Sequence, residues 1–296
     1  MKKKKILIEV LAIIVIVLLV CATLIFTRVI DITNKNVQEE KNKQEIIVEI
    51  NNSQPLRQTW LDNKKINSDY VGEIIFDSGL INKSFVQAKS IYDNNGNLYH
   101  FYTEDGNLVE DPGDLDGNDV YIWTNWKDMS YDYNDEGGSI FMDYRNSIGD
   151  QNIIIYGHHY SNVSGNDYNR QKAFTPLEKL LDEENYLANK NLKLILDKQT
   201  ISYELVGVYK YDIYDENCVN NLQYYRTNYN YDEYEDVEDD TYYQNYIDAL
   251  NQVKLYKTDA TLSTNDKTLT LQTCISGLDG LEYEICVFKQ VESIKY

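Results

Sequence analysis

The sequence predicts a mainly β fold, a mixed β-barrel with helical insertions, set behind an N-terminal transmembrane helix. Three observations predict it. Many short runs of strand length are bounded by Gly-, Asn- and Asp-rich turns, with only one or two helical patterns between them. The chain opens on lysines followed by an apolar run long enough to span a bilayer. Its 296 residues, 43% hydrophobic and 26% charged, suffice for a buried core.

The opening segment is MKKKKILIEVLAIIVIVLLVCATLIFTRV. Val10 to Phe26 carries no charge, and Ile6 to Phe26 carries only Glu9. About 20 apolar residues cross a bilayer as a helix. A cleaved signal peptide has a shorter apolar core and a small-x-small exit. The segment therefore reads as an uncleaved signal anchor, with cleaved signal peptide as the alternative. The preceding lysines favour a cytoplasmic N-terminus. The predicted organisation is a cytoplasmic tail at 1–5, an anchor at 6–28, a juxtamembrane helix or spacer at 29–64, and an extracellular domain at 65–296.

The formal net charge is −20. Residues 1–28 hold five basic groups and one acid, which leaves 23 basic and 47 acidic residues, a net of −24. Phosphate backbones would repel such a domain, which argues against nucleic acid as a partner.

The elements follow in order. KINSDYVGEIIF reads as a short strand from Val71 to Phe76, closed by an Asp-Ser-Gly turn. Residues 88–117 hold two hairpin-like pieces split by Asn- and Gly-rich turns, and no internal repeat was expected. GGSIFMDYRN at 137–146 reads as a Gly-bounded strand and turn. DQNIIIYGHHYSN is a buried strand, Ile153 to Tyr156, running into a glycine and two histidines. Thr175 as N-cap, Pro176 at the first helical position and Glu178 completing a capping box predict a helix, with Leu177, Leu180 and Leu181 as its apolar face. LKLILD and TISYELVGVYKYD read as two strands joined by a short turn. The acidic run 232–240 reads as a solvated loop in preference to a Ca²⁺ site, because its spacing is not that of an EF-hand. TYYQNYIDALNQV reads as a helix, and TLTLQTC and YEICVFKQV as the last two strands.

Three cysteines lie beyond the anchor: Cys218, Cys274 and Cys286. With an odd number, at least one stays unpaired within the chain. A turn centred between Leu278 and Asp279 would place Cys286 opposite Leu271, three residues from Cys274. That offset is ~10 Å along a strand, beyond the ~7 Å a disulfide tolerates. Cys274 therefore reads as a free thiol ending a strand, Cys286 as a barrel-facing residue and Cys218 as unpaired. A thiol becomes a nucleophile when a nearby base or cation stabilises its thiolate. Of three histidines, His100 lies in the Gly- and Asn-rich region and is expected to be exposed and idle. His158 and His159 follow a buried strand, where a rigid sheet can hold them at a loop mouth. The order His before Cys, with Cys ending a strand, does not fit papain-like enzymes.

Together these residues resemble the sortases, and class B in particular. Thr270-Leu271-Gln272-Thr273-Cys274 matches the family's T-L-x-T-C signature, and Tyr156-Gly157-His158 its Y-G-H. GGSIFMDYRN and INSDYVGEI…FVQ resemble the class B segments that precede them, and a helix before the cysteine strand also fits. The resemblance runs from about Lys65 to Lys289. It implies a membrane-anchored cysteine transpeptidase that needs no cofactor. Cys274 would attack the threonine carbonyl of a C-terminal sorting signal in an exported protein, giving a thioester. His158 would protonate the leaving amine and then deprotonate an incoming one, from a peptidoglycan cross-bridge or a pilin lysine. His159 falls where class B often has Asn and is secondary.

Two departures stand out. The family places an arginine on the strand after the cysteine. Here that position falls at or near Glu284, or at Glu282 with a shorter loop, and no arginine lies beyond Cys274. A carboxylate would repel an oxyanion and raise the thiol pKa. Loss of such a donor costs ~10²–10³ in rate. Arg145, Arg170, Arg226 and Lys289 are the candidates to replace it. The alternative functions are a sortase-like binding or scaffold protein and another extracytoplasmic Cys-His hydrolase. The second departure is the 88–117 insertion, expected to form a surface hairpin.

Overall fold

In the computed structural model, the described residues are 57–88, 90–93, 95–133, 137–160, 171–212, 240–275 and 282–296. The expected anchor at 6–28, the acidic run up to residue 239, Cys218, Arg170 and Arg226 lie outside them. Among the described residues no helix is long and apolar enough to cross a membrane. The expected domain start was near Lys65, whereas helix α1 (57–66) already packs on the barrel and the compact unit runs from Leu56. The Trp60 indole N–H donates to the Val71 carbonyl at 2.6 Å, and Lys64 Nζ donates to that of Tyr70 at 2.8 Å.

Eight strands close into a barrel. They are β1 (Tyr70–Phe76), β2 (Asn82–Gln87), β3 (Phe141–Met142), β4 (Asn152–Tyr156), β5 (Asn191–Ile195), β6 (Gln199–Asp212), β7 (Thr268–Cys274) and β8 (Glu282–Lys295). Their order around the barrel is β1-β2-β3-β4-β7-β8-β6-β5. The barrel is mixed, as expected: β2 with β3 and β4 with β7 run parallel, and the other pairs run antiparallel. Closure leaves no open sheet edge to manage.

Period-two alternation decides what each strand buries. Ile153 and Ile155 of β4, Leu269 and Leu271 of β7, and Cys286 and Phe288 of β8 fill the interior with Ile74, Phe76 and Leu205. The opposite face of β6 and β8 packs Tyr209, Tyr211, Ile285 and Val287 against a helix, α3 (Asp240–Val253). Tyr243, Tyr246, Ile247 and Leu250 of that helix are spaced at three and four residues, which puts them on one face. Removing a fully buried leucine such as Leu271 would cost about 2–5 kcal/mol. The wall that carries the site is therefore stiff.

The segment expected to be a capped α-helix is a 3-10 helix, Thr175–Leu181. Its cap position is Phe174, with no side-chain capping bond. The two capping-box residues are engaged elsewhere. Thr175 Oγ1 accepts the Tyr160 backbone N–H at 2.9 Å, and Glu178 Oε2 lies 3.3 Å from His159 Nε2. Both residues hold the segment after Gly157 instead of the helix end.

The insertion contains a tandem repeat that the sequence reading missed. Tyr92 to Leu98 (YDNNGNL) and Tyr102 to Leu108 (YTEDGNL) each close one antiparallel bridge. Asp93 N–H donates to the Asn97 carbonyl at 2.8 Å, and ten residues later Thr103 N–H donates to that of Asn107 at 2.9 Å. Gly96 and Gly106 take φ of 82° and 75°. Both hairpins rest on a small core of Phe101, Val109, Val120 and Tyr121.

Candidate active site

Strands β4 and β7 pair in parallel, with Ile154 opposite Thr270 and Tyr156 opposite Gln272. The Gly157 N–H extends the ladder by donating to the Gln272 carbonyl at 3.2 Å. His158 and Cys274 each follow that last pair by two residues, so both stand at the same end of adjoining strands. They line one cavity of about 330 Å³ with Asn118, Ile122, Tyr156, Gln272, Thr273 and Tyr283. Gly157 has a local reason: a Cβ there would meet the Phe174 ring at 2.8 Å. The Phe174 N–H in turn donates to the His158 carbonyl at 2.9 Å, which fixes the histidine backbone.

The imidazole of His158 is gripped by two consecutive residues distant in sequence. Its Nε2–H donates to the Ile122 carbonyl at 2.9 Å, since a carbonyl can only accept. This bond assigns the proton to Nε2 and leaves Nδ1 basic. The Trp123 ring lies over the imidazole, with centroids 4.2 Å apart and planes tilted by 32°. Ile122 closes the short helix α2 (Asp119–Ile122), so the insertion reaches the site through this turn. Nothing in the local sequence marked Ile122 or Trp123 for this role. Burial holds the His158 pKa down to about 4, against the opposing Ile122 hydrogen bond. Burial also raises the Cys274 thiol above its ordinary value. At neutral pH the resting pair is a neutral thiol and a neutral imidazole.

The other sequence candidates are placed as follows. His159 bonds to Glu178, and His100 is exposed in the insertion. Cys274 and Cys286 are both free, and Cys286 does face Leu271. Arg145 binds Asp143 through Nε at 2.7 Å and through its terminal nitrogen at 2.6 Å. Lys289 pairs with Asp266 at 2.9 Å and stands opposite Thr268, at the far end of β7 from Cys274. Neither supplies the missing arginine.

The expected clash between Glu284 and the thiol of Cys274 requires correction. Tyr283 is the residue opposite Cys274, and Glu284 is opposite Thr273. Side chains alternate along a strand, so Glu284 points to the interior with Cys286 and Phe288, away from the face that carries Cys274. It is fully buried. Burial, above all, raises its carboxyl to about 8, so it is largely neutral at pH 7. The thiol that Glu284 does raise, after burial itself, is that of Cys286.

No protein-family profile matches the chain. Among curated proteins, the chain is 30% identical over 164 residues to sortase B of Listeria monocytogenes, covering 55% of this chain and 56% of that one. It is 26% identical over 156 residues to sortase B of Staphylococcus aureus, covering 52% and 54%. These matches span about half the length of either relative. A solved Staphylococcus aureus sortase B–substrate complex superposes with a TM-score of 0.57 at 21% identity, covering 86% of this chain and 94% of that one. In its barrel, in the Y-G-H and T-L-Q-T-C motifs at the ends of adjoining strands, and in these matches, the chain is similar to the class B sortases.

Proposed function

We propose that the chain is a membrane-anchored cysteine transpeptidase acting on the C-terminal sorting signals of exported proteins, with residues 6–28 as anchor and the barrel outside the cell. The observation that carries this reading is the placement of His158 and Cys274 at the same end of two hydrogen-bonded strands, in one cavity. In the first half-reaction the Cys274 sulfur bonds to the signal's carbonyl carbon while its proton passes to His158. The tetrahedral adduct collapses, the C–N bond breaks, and the imidazolium protonates the departing amine. In the second half, an incoming amine attacks the thioester, loses a proton to His158, and the thiol is restored. The acceptor is a peptidoglycan cross-bridge or pilin amine. Mass spectrometry of the full-length chain incubated with candidate signal peptides tests the reading. The expected result is an acyl adduct on Cys274, lost in Cys274→Ala, with cleavage abolished in His158→Ala. Cleavage at parental rate in both variants would overturn it.

One observation favours a second reading. Among the described residues of β8, the one opposite Cys274 is a tyrosine and none is an arginine. A sortase-like binding or scaffold protein would bind a signal peptide without cleaving it, equally well in Cys274→Ala.

A further inference from the structure

An aromatic strip runs from the insertion to His158. Tyr102 meets Tyr131 (centroids 5.7 Å), Tyr131 meets Tyr133 (6.5 Å, planes 18° apart), and Tyr133 meets Trp123 (6.1 Å, 27°). Trp123 then lies over His158 at 4.2 Å. Near-parallel rings with centroids beyond 6 Å are slid past one another like tiles, so part of each face is left uncovered. Tyr133 is 45% exposed. The strip is also fixed in place. The Tyr131 hydroxyl donates to the Glu104 carbonyl in the second repeat hairpin, and Thr124 and Tyr131 form a bridge.

Carboxylates stand beside the strip. Glu104 and Asp105 are exposed at the hairpin tip. Burial and then Tyr133, Asp105 and Glu104 raise the Tyr131 phenol, which places both carboxylates within its field. Asp132, between two of the tyrosines, accepts from Asn125 Nδ2 at 3.1 Å and acts on the neighbouring Tyr160 phenol. The protein also places an ammonium of its own against these rings. Lys172 Nζ lies 5.5 Å over Tyr160, which meets Tyr133 edge-on at 6.3 Å. Ring faces beside carboxylates attract ammonium groups both through the π quadrupole and by charge.

We propose that the strip Tyr102–Tyr131–Tyr133–Trp123, with Glu104 and Asp105, is the docking track for the amine acceptor, a peptide bearing a primary ammonium, and that it leads this group to His158. The proposal rests on the transpeptidase reading and deepens it by assigning the acceptor its own surface. It gives the insertion a function: the second hairpin, tied to Tyr131, brings carboxylates to a path that ends on the proton-accepting imidazole. An amine that arrives protonated is held by the strip until it releases its extra proton to water and attacks the thioester, when His158 takes the proton lost by the attacking nitrogen.

The test uses the full-length chain carrying Cys274→Ala, so that binding is read without turnover. A short lysine-containing peptide is titrated against it, beside the same peptide with all amines acetylated. The expected result is saturable binding of the first alone, weakened about five-fold by Tyr133→Leu and by the pair Glu104→Gln and Asp105→Asn. The double variant also loses most of the salt dependence. Tyr133 is exposed and the two acids are at a loop tip, so these variants leave the core intact. Equal binding of the acetylated peptide, parental affinity in both variants, or binding of a chito-oligosaccharide in place of the peptide would overturn the proposal. Strip-dependent peptide binding without any Cys274 adduct in the parent would retain the track and remove the transpeptidase reading. An adduct with strip-independent binding would do the reverse.

Discussion

The Cys286 thiol donates to Glu284 Oε1 at 3.5 Å inside the barrel, while Cys274, one residue beyond the partner of Glu284, stands on the opposite face of the wall. Two thiols three cross-strand positions apart thus occupy different environments.

Chemical labelling should separate them. Cys286 is fully buried and Cys274 is partly exposed in the cleft. In the native full-length chain, iodoacetamide should modify Cys274 and leave Cys286 intact until the protein is unfolded. Peptide mapping by mass spectrometry reads this directly, and native labelling of Cys286 would contradict the placement.

Glu284 should make stability fall with pH. Its folded carboxyl lies at about 8 against an ordinary 4.5. A raised acid contributes fully below the unfolded value, and that contribution is lost as pH rises toward the folded value, at about 1.4 kcal/mol per unit. Glu284→Gln cannot ionise. Its melting temperature relative to the parent should climb between pH 5 and pH 8, by scanning calorimetry. A constant difference across that range would refute the assignment.

The hold of Trp123 on His158 predicts a change in pH profile as well as in rate. With the imidazole near 4, kcat/KM for signal cleavage should keep its plateau down to about pH 5. Trp123→Ala opens the imidazole to water, so its pKa should rise toward 6.5 and the acid limb should follow it. The rate at neutral pH should drop by about ten-fold through lost orientation. Trp123→Phe should restore most of both. A purely structural role would lower activity without moving the limb.

The two repeat hairpins provide an internal control. Gly96 and Gly106 share the left-handed backbone, but a Cβ at Gly106 would meet the Tyr131 ring at 2.8 Å, while none lies within 4 Å at Gly96. Gly96→Ala should cost about 1–2 kcal/mol of local backbone strain. Gly106→Ala should cost more and should also weaken the acceptor peptide, because Tyr131 must shift. Equal effects on binding would contradict the tie between hairpin and strip.

The sequence by itself indicated most of the strands, the register of the last two, and His158 and Cys274 as the candidate pair on which the proposed chemistry rests. Its period-two patterns and turn residues are local, and a turn centred between Leu278 and Asp279, as the sequence predicts, sets Cys286 against Leu271 by counting alone. The same count placed Tyr283 opposite Cys274 and Glu284 on the other face, so the fate of Glu284 was already legible in it. What only the tertiary structure decided depends on contacts between distant segments. Thr175 and Glu178 carry the local signature of a cap, yet the chain after Gly157 takes them. Ile122 and Trp123 sit 36 and 35 positions before the histidine they hold, in a short turn with no periodic signal. Propensity acts along the chain, whereas the protonation state and orientation of a side chain depend on whatever the closed barrel and its insertion bring against it.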